Sequence, residues 1–503
     1  MTDTLWQQLE VNTLLGSARA TAVSDWPDAL RGAVDSLPDR DGPRALLAQL
    51  ALAMVWQRAG QTLPQSAAPD SAAPETHLRP LPAAARPWLQ NALANDQQSF
   101  LPECLRAMAE HGFHPAATLL PDLLRLGESR KGWRLPLGQV AGARGVWLAA
   151  QNPEWRWLEG ATFPLDADPG IRDRFWQDTA PAARELYLIR WRQQDPAAAR
   201  DWLQQRWPDE SATQRAQWLE LCRHGLQADD AIWLESLLDD RSKQVREAAL
   251  GLLARLDDSP WRQRLRERCA MLVNVKRGLL RKALEVTPPD ALDPALQRDG
   301  LEPVTGGAQG LGEKAVWLRT IVAGAGCGWL LAHTGLDPEN LLAAVAKTDW
   351  ASPLQQGLAA AALTEGHAPM LLALLSPAGR KHRADDAPLL DALGAADREQ
   401  ALLDRVRHET KPGAGLQELN QLLARLTGWE WSEAFTRTLL GLLRPWLEHP
   451  SHEAQRMLLQ GMGRQLAAHG HRRVAADPPP GTPPDMAAAW QGRHAFLTAL
   501  EAG

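Results

Sequence analysis

Apolar residues recur along this chain at spacings of three and four, the period of an amphipathic α-helix. The segments 43–60 and 100–112 show the pattern clearly, and many others resemble them. Most run for about three turns before a Gly or Pro interrupts them, which is too short for a helix that is stable alone. Such helices need neighbours that cover their apolar faces, so the pattern predicts helices stacked on one another.

The clearest repeating unit is a helical hairpin at residues 228–256. An acidic turn that includes Asp239 joins its two helices, and Ser242 is placed to cap the second one. The second helix carries a Val-Arg pair that begins at Val245, and the small Ala249 would let adjacent helices approach closely. These features resemble a HEAT-type repeat. The predicted fold is therefore all-α, an α-solenoid of HEAT-like helical hairpins.

Changes in composition divide the chain into segments. Within the repeats a helix is expected at 260–275, and ALEVT at 283–287 and LEPVT at 301–305 have the composition of very short strands. The pattern leaves open whether the central break separates two lobes. The expected segments are N-terminal helices at 1–60, a Pro/Ala/Ser-rich linker at 61–82, a HEAT-like helical-repeat region at 83–285, a Pro/Gly-rich break at 286–313, a C-terminal helical region at 314–474, and a Pro-rich linker with a terminal helix at 475–503.

Composition supports the all-α prediction and narrows the class of protein. Ile occurs four times and Tyr once in 503 residues, so good strand formers are scarce while Leu and Ala dominate. The net charge of −6 opposes a protein wrapped in nucleic acid. The start of the chain lacks a secretory signal, the apolar run at 320–332 is too short to span a bilayer, and the four cysteines are scattered. We therefore expect a cytoplasmic protein with free core cysteines.

One Gly-rich stretch invites comparison with a phosphate-binding loop but departs from that pattern. In TGGAQGLGEKA (305–315), Gly307 and Gly312 have the spacing of the two glycines of that motif. Glu313 separates Gly312 from Lys314, however, and Ala315 stands where the motif needs the hydroxyl of Ser or Thr. The glycines of GAGCGW (324–329) lack the strand–turn–helix setting of a dinucleotide site. We expect a loop that leads into a helix and no bound cofactor.

The sequence evidence for a metal site or a hydrolytic site is equally weak. Cys104, His111 and His114 have a C-x6-H-x2-H spacing without a convincing fourth ligand. The chain has neither a G-x-S-x-G elbow nor an H-E-x-x-H motif. We therefore name no catalytic, cofactor-binding or metal-binding residue, and we expect a protein that is not an enzyme.

Tryptophan is unusually abundant, and eleven of the 22 lie between positions 133 and 261. They could fill gaps between stacked helices, with each indole N–H bonded to a nearby carbonyl. They could instead anchor a partner on a concave face, since Trp and Arg are enriched at interface hot spots. The residues expected on such an interaction surface are Arg144, Trp155, Arg156 and Trp157.

A basic strip at 239–285 holds twelve Arg or Lys residues against seven Asp or Glu residues. Such a strip could bind phosphates if it lined a groove, although its charges are spread around the helices as on an ordinary solvated face. The candidate phosphate-binding residues of this alternative are Arg262, Arg266, Lys276 and Arg277.

Four segments of the sequence carry a wider resemblance. They are LLPDLLRLGES at 119–129, ARGVWLAAQNPEWRWLEG at 143–160, DPAAARDWLQQRWPDESATQR at 195–215 and WLESLLDDRSKQVREAALGLLARL at 233–256. Together they resemble an uncharacterised family of bacterial HEAT-like helical-repeat proteins. The genes of that family tend to lie beside a MoxR-type AAA+ ATPase, a von Willebrand factor A (VWA) protein and a SWIM zinc-finger protein. The resemblance implies a scaffold in a chaperone-like system and supplies no catalytic residues.

The sequence therefore predicts a non-enzymatic protein-interaction scaffold or adaptor, and the resemblance implies a MoxR-type AAA+ ATPase and a VWA-domain protein as its partners. One alternative is a nucleic-acid-binding protein resembling HEAT-like DNA glycosylases, which would use a basic groove around 239–285. Another is a lyase that holds a chromophore or small ligand on a HEAT scaffold. No membrane association is expected.

Overall fold

The computed structural model describes most of the chain. The described residues are 3–37, 42–59, 71–72, 74–75, 77–94, 100–277, 282–303, 311–376, 379, 386–409, 420–421, 423–424, 430–448, 453–477 and 484–502. They form an all-α helical-repeat protein, as the sequence predicts, with two pairs of short strands among them. The contacts divide the chain into two compact units, residues 1–71 and residues 72–503.

The first unit contains three helices: α1 Asp3–Leu15, α2 Asp28–Asp35 and α3 Pro43–Ala59. A small apolar core holds them together, because one side of each amphipathic helix turns inward. Its buried members are Leu5, Leu9, Trp26, Leu30 and Ala53. Few core residues support this unit, so a large part of its apolar surface stays exposed to water.

The second unit contains the other helices and all the described strands. The helices between residues 86 and 272 are α4 Arg86–Ala94, α5 Leu101–Glu110, α6 Leu120–Ser129, α7 Arg134–Val140, α8 Gly142–Gln151, α9 Trp157–Thr162, α10 Pro169–Asp178, α11 Pro181–Gln194, α12 Pro196–Arg206, α13 Ala212–Cys222, α14 Ala231–Ser236, α15 Lys243–Leu253 and α16 Pro260–Leu272. The later helices are α17 Pro294–Arg298, α18 Glu313–Ala325, α19 Cys327–Thr334, α20 Pro338–Val345, α21 Ala351–Glu365, α22 Ala368–Leu375, α23 Ala387–Ala392, α24 Ala395–Glu409, α25 Glu433–Glu448, α26 Glu453–His469, α27 Arg472–Ala476 and α28 Pro484–Ala502. The strands are β1 Arg79–Pro80, β2 Phe113–His114, β3 Val273–Arg277 and β4 Lys282–Val286.

Alternate helices stack on one another through the second unit. Helix α9 packs between α7 and α11, α13 packs between α11 and α15, and α18 packs between α16 and α21. Small residues make this approach possible. A Cβ atom at Gly160 would collide with the backbone carbonyl of Ala183, and one at Gly324 would collide with Leu265. One continuous apolar core runs along the stack.

The tryptophans of the second unit mostly serve this core. Trp176, Trp191, Trp202 and Trp218 contact one another directly or through a neighbouring ring of the same cluster. Trp261 donates its indole hydrogen to the carbonyl of Asp299 at 3.0 Å. The gap-filling role considered for the tryptophans therefore holds for these residues. The four cysteines are also buried and free, as predicted.

The break at 286–313 lies inside the second unit. Helices α16 and α18, on either side of it, pack against each other. Asp299, within the break, is buried and accepts hydrogen bonds from Arg264 at 2.6 Å while pairing with Arg268 at 2.8 Å. A segment rich in Pro and Gly is thus fastened to the helical stack by a buried carboxylate.

An antiparallel hairpin interrupts the helical stack just before this break. Helix α16 ends at Leu272, and Val273–Arg277 continues as strand β3, which pairs with β4 in the register Val273 to Val286. The helix expected at 260–275 is therefore three residues too long. The alternation in VNVK turns one side chain in two toward the protein, which a helix could not do. The expected short strand at ALEVT falls on β4. Of the other candidate, LEPVT, residues 301–303 form no strand and residues 304 and 305 lie outside the described part of the chain.

The last helix returns to the beginning of the second unit. Helix α28 packs against α4 and α5 as well as against α26 and α27. Arg493 donates two hydrogen bonds to Glu103, at 2.6 and 2.7 Å, across 390 positions of sequence. At Gly492 a Cβ atom would overlap the ring of Trp88, so the helix lies close against α4. The terminal helix expected after the Pro-rich segment is an integral part of this unit.

Among the described residues, no single helix is long and apolar enough to cross a bilayer. Helices α18 and α19 reach that length and composition only when they are taken together, and they meet at an angle of 92°.

Candidate functional site

The predicted interaction surface around residues 144–157 is only partly exposed. Trp157 is 2% exposed and lies among the largest fully buried side chains, so its assignment to a partner-binding face is wrong. The indole lies against Gly127, where a Cβ atom would collide with it. Trp157 fills a gap between helices.

Its neighbours keep more contact with solvent. Trp155 is half-buried and donates its indole hydrogen to Glu128. Arg156 is exposed and pairs with Glu159 at 2.8 Å, which raises the pKa of its guanidinium. Arg144 is exposed on α8. Arg144 and Arg156 therefore remain available to a partner.

The basic strip is largely neutralised within the protein. Arg262 is 1% exposed, donates to Glu365 and to the carbonyl of Ala254, and lies 3.5 Å from Asp257. Arg266 donates to Asp257 and to the carbonyl of Ala325. Arg262 is almost fully buried and Arg266 is mostly buried, and both already pair with carboxylates, so neither is placed to bind a phosphate and both assignments are corrected to structural roles.

The remaining candidates of the strip lie on the hairpin. Lys276, on β3, is exposed and pairs with Glu285 across the strands at 2.7 Å. The side chain of Arg277 lies outside the described part of the structure. The strip thus provides one exposed cation among the described candidates, and a neighbouring carboxylate already compensates it.

A partly buried ion-pair network includes residues of this strip and joins α14, α16 and α17. Glu235 accepts hydrogen bonds from Arg264 and Arg298, both at 2.7 Å. Arg298 also makes two hydrogen bonds to Asp239, at 2.8 and 2.9 Å, and these contacts raise its pKa strongly while lowering that of Asp239. The acidic turn of the repeat at 228–256 is therefore an anchor for the later chain.

A cleft of about 420 Å³ opens next to this network, between α15, the end of α17 and α18. Four cations and two carboxylates line it together with Leu250 and Trp317. Lys243 pairs with Glu302 at 2.7 Å, and Trp317 donates to the carbonyl of Glu302 at 2.9 Å. The described lining contains no histidine, cysteine or serine. The cleft is polar and internally paired, and its lining provides no nucleophile with an adjacent base.

The Gly-rich motifs also have a structural explanation where they are described. Gly326 has φ of 93°, and a Cβ atom there would meet the side chains of Glu365 and Arg262. The thiol of Cys327 donates to Glu365 at 2.8 Å, and burial raises its pKa. In the loop compared with a phosphate-binding motif, residues 304–310 lie outside the described part. Lys314 forms an exposed pair with Asp290 at 3.2 Å.

The Cys-His spacing does not create a metal centre. Cys104 is buried, and His111 and His114 make hydrogen bonds through Nδ1 to the carbonyls of Ala107 and Pro115. Within the part of the chain that the structure describes, no group of three or more His, Cys, Asp or Glu residues is placed to hold a metal ion.

The first unit presents the surface that the sequence analysis missed. Six of the eleven large apolar side chains exposed in the described structure lie between positions 11 and 55. On α3, Leu47 is 62% exposed, Met54 49% and Val55 66%. The signal is present in ALLAQLALAMVW (45–56), which is apolar on every side of the helix although a three-helix unit can cover only one side.

Residues 8–502 match a family of unknown function, DUF5691. The chain belongs to this family. No curated protein and no solved structure matches the chain.

The DUF5691 match spans both compact units. It begins within α1 and ends in α28, so it covers α3 as well as the cleft and the ion-pair network.

Proposed function

We propose that this DUF5691 protein is a non-enzymatic scaffold or adaptor that binds partner proteins. One observation carries the proposal: six of the eleven large apolar side chains exposed in the described part of the chain lie on the small N-terminal unit. Exposed apolar patches on folded proteins mark interaction surfaces. The second unit supports this role with a continuous core and buried ion pairs, features suited to a rigid frame.

The proposed setting is a chaperone-like system with a MoxR-type AAA+ ATPase and a VWA-domain protein as partners, in the cytoplasm. The resemblance of residues 119–129, 143–160, 195–215 and 233–256 to the bacterial helical-repeat family encoded beside such proteins supports this assignment. Helical repeats suit it because stacked hairpins offer broad surfaces for protein partners.

The deciding experiment is a pull-down of the tagged full chain from its native host, with and without ATP, with bound proteins identified by mass spectrometry. Enrichment of an AAA+ ATPase or a VWA protein over a tag-only control would support the proposal. Recovery of nucleic acid that disappears at high salt, without such a protein, would overturn it in favour of the nucleic-acid alternative.

A surface variant tests the part played by the second unit. The double variant Arg144→Glu/Arg156→Glu reverses two exposed charges at the predicted interaction surface. The matched control Arg125→Glu/Arg437→Glu reverses two other exposed arginines, each in a surface pair. Partner recovery that falls for the first variant alone would place the partner on that surface, whereas equal recovery would exclude it.

A further inference from the structure

The outward face of α3 is an apolar stripe with a positive charge at each end. Leu47, Met54 and Val55 are exposed at helical spacing, with Arg44 one turn before them and Arg58 one turn after. Both arginines are exposed, and among the described residues neither has a carboxylate within ion-pair distance. At 1.5 Å per residue the two charges lie about 21 Å apart along the axis.

The core of the first unit leaves this stripe uncovered. Ala45 and Ala53 point inward on α3, and α1 packs along that inner side. With five residues forming the buried cluster, the unit lacks the surface needed to cover a second side of a 17-residue helix. A straight apolar stripe of this length matches the contact surface of another helix, whose side chains would pack between those of α3.

The charges on α3 indicate which kind of helix can bind to its apolar face. The helix has two arginines and no acidic residue. Two copies of α3 packed together would bring arginine against arginine whether they ran parallel or antiparallel, and like charges at an interface oppose association. A polybasic membrane surface is also a poor description, because the segment 1–71 has eight acidic and five basic residues and anionic lipid would repel it.

We infer that this face of α3 is the docking site for an amphipathic helix of a partner protein, one whose apolar stripe is flanked by acidic residues. Apolar contacts with Leu47, Met54 and Val55 provide the binding energy, and pairs to Arg44 and Arg58 fix its direction and register. The inference rests on the proposed scaffold function and specifies the chemistry of the partner.

Photo-crosslinking in the native host tests the inference on the full chain. Val55 is replaced by p-benzoylphenylalanine, and the crosslinked peptide is identified by mass spectrometry; the same substitution at the exposed Ser36, on another part of the unit, is the control. A peptide from another protein, with an apolar helical stripe between acidic residues, supports the inference. Adducts with residues 72–503, with a second copy or with lipid, or a yield no higher than the control, overturn it.

Charge reversal provides an independent readout. Arg44→Glu/Arg58→Glu should lower the crosslinking yield at position 55 about tenfold, since two attractive pairs become repulsive. The control Arg19→Glu/Arg31→Glu makes the same change of charge away from the stripe and should leave the yield unchanged. Equal yields for the two variants would overturn the inference, and circular dichroism confirms that both remain helical.

The two proposals fail separately. If the pull-down recovers the ATPase or the VWA protein while position 55 gives no partner adduct, the scaffold function stands and docking on α3 is wrong. If position 55 captures an acid-flanked helix from a protein outside that system, docking stands and the assignment to the system is wrong.

Discussion

At the scale of single residues, buried arginines hold consecutive repeats together. Arg192 is fully buried and pairs with Asp230 at 2.7 Å. It also donates to the carbonyls of Pro196, His224 and Gly225. One guanidinium thus satisfies several carbonyl groups at helix ends, and its charge is balanced by a carboxylate that is equally buried.

Arg192→Met should lower the free energy of unfolding by about 3–5 kcal/mol, because it leaves the Asp230 carboxylate and several carbonyl groups buried without this partner. Urea denaturation followed by Trp fluorescence measures the effect. The control Arg125→Met breaks an exposed pair with Asp122 and should change stability by less than about 0.5 kcal/mol. Equal losses in the two variants would contradict a structural role specific to Arg192.

Replacing glycine by alanine should have opposite effects on stability at Gly160 and Gly251. Gly160→Ala should destabilise the protein by about 1–3 kcal/mol, because the new methyl group meets the carbonyl of Ala183 and forces α9 and α11 apart. Gly251→Ala, in α15, meets no atom within 4 Å and should stabilise the helix by about 0.5–1 kcal/mol. Thermal unfolding of both variants checks the pair, and a stable Gly160→Ala protein would show that these helices are less closely packed.

At the scale of helices and strands, the 3.6-residue period predicts much of the fold, including the second helix of the repeat at 228–256. It does not separate Trp155 from Trp157, since burial depends on which helices lie opposite. It also extends α16 into Val273, because VNVK is as apolar as the helix before it and only the pairing with β4 reveals a strand. The pairing of Arg493 with Glu103 is too distant in sequence for any periodicity to indicate it.

The packing of α28 against α5 can be tested by measuring how well each helix is protected from hydrogen exchange. Arg493→Met removes both hydrogen bonds to Glu103 while keeping the length of the side chain. Amide hydrogen exchange should then become faster in α5 as well as in α28, because each covers the other. Arg437→Met, which breaks an exposed pair within α25, serves as the control. Faster exchange in α28 alone would show that α5 does not depend on this packing.

At the scale of the whole molecule, the distribution of charge supports the proposal that the partners are proteins. The chain has a net charge of −6, and Arg262 and Arg266 of its basic strip pair with carboxylates of the same chain. An excess of positive charge within a sequence window does not create a positive surface when the carboxylates that balance it come from distant segments, as Glu365 does for Arg262.

We therefore expect no retardation of a 30-base-pair duplex in a gel-shift assay at about 50 mM salt, conditions in which non-specific phosphate binding is strong. Arg262→Gln should lower the melting temperature without creating or removing DNA binding. A retarded band whose intensity falls steeply as salt rises would contradict this expectation, and the DNA-binding role of the strip would then have to be restored.

Because α28 packs against α4 and α5, these early helices acquire their full packing only late in synthesis. Glu103 leaves the ribosome 390 residues before Arg493, which at about 5–20 residues per second is a wait of roughly 20–80 s. During that interval the surface of α4 that will receive Gly492 has no cover, and a chain that stops early never acquires one. The first repeats are thus covered only after α28 has been made, and a product that lacks α28 carries an exposed apolar surface that quality-control proteases can recognise.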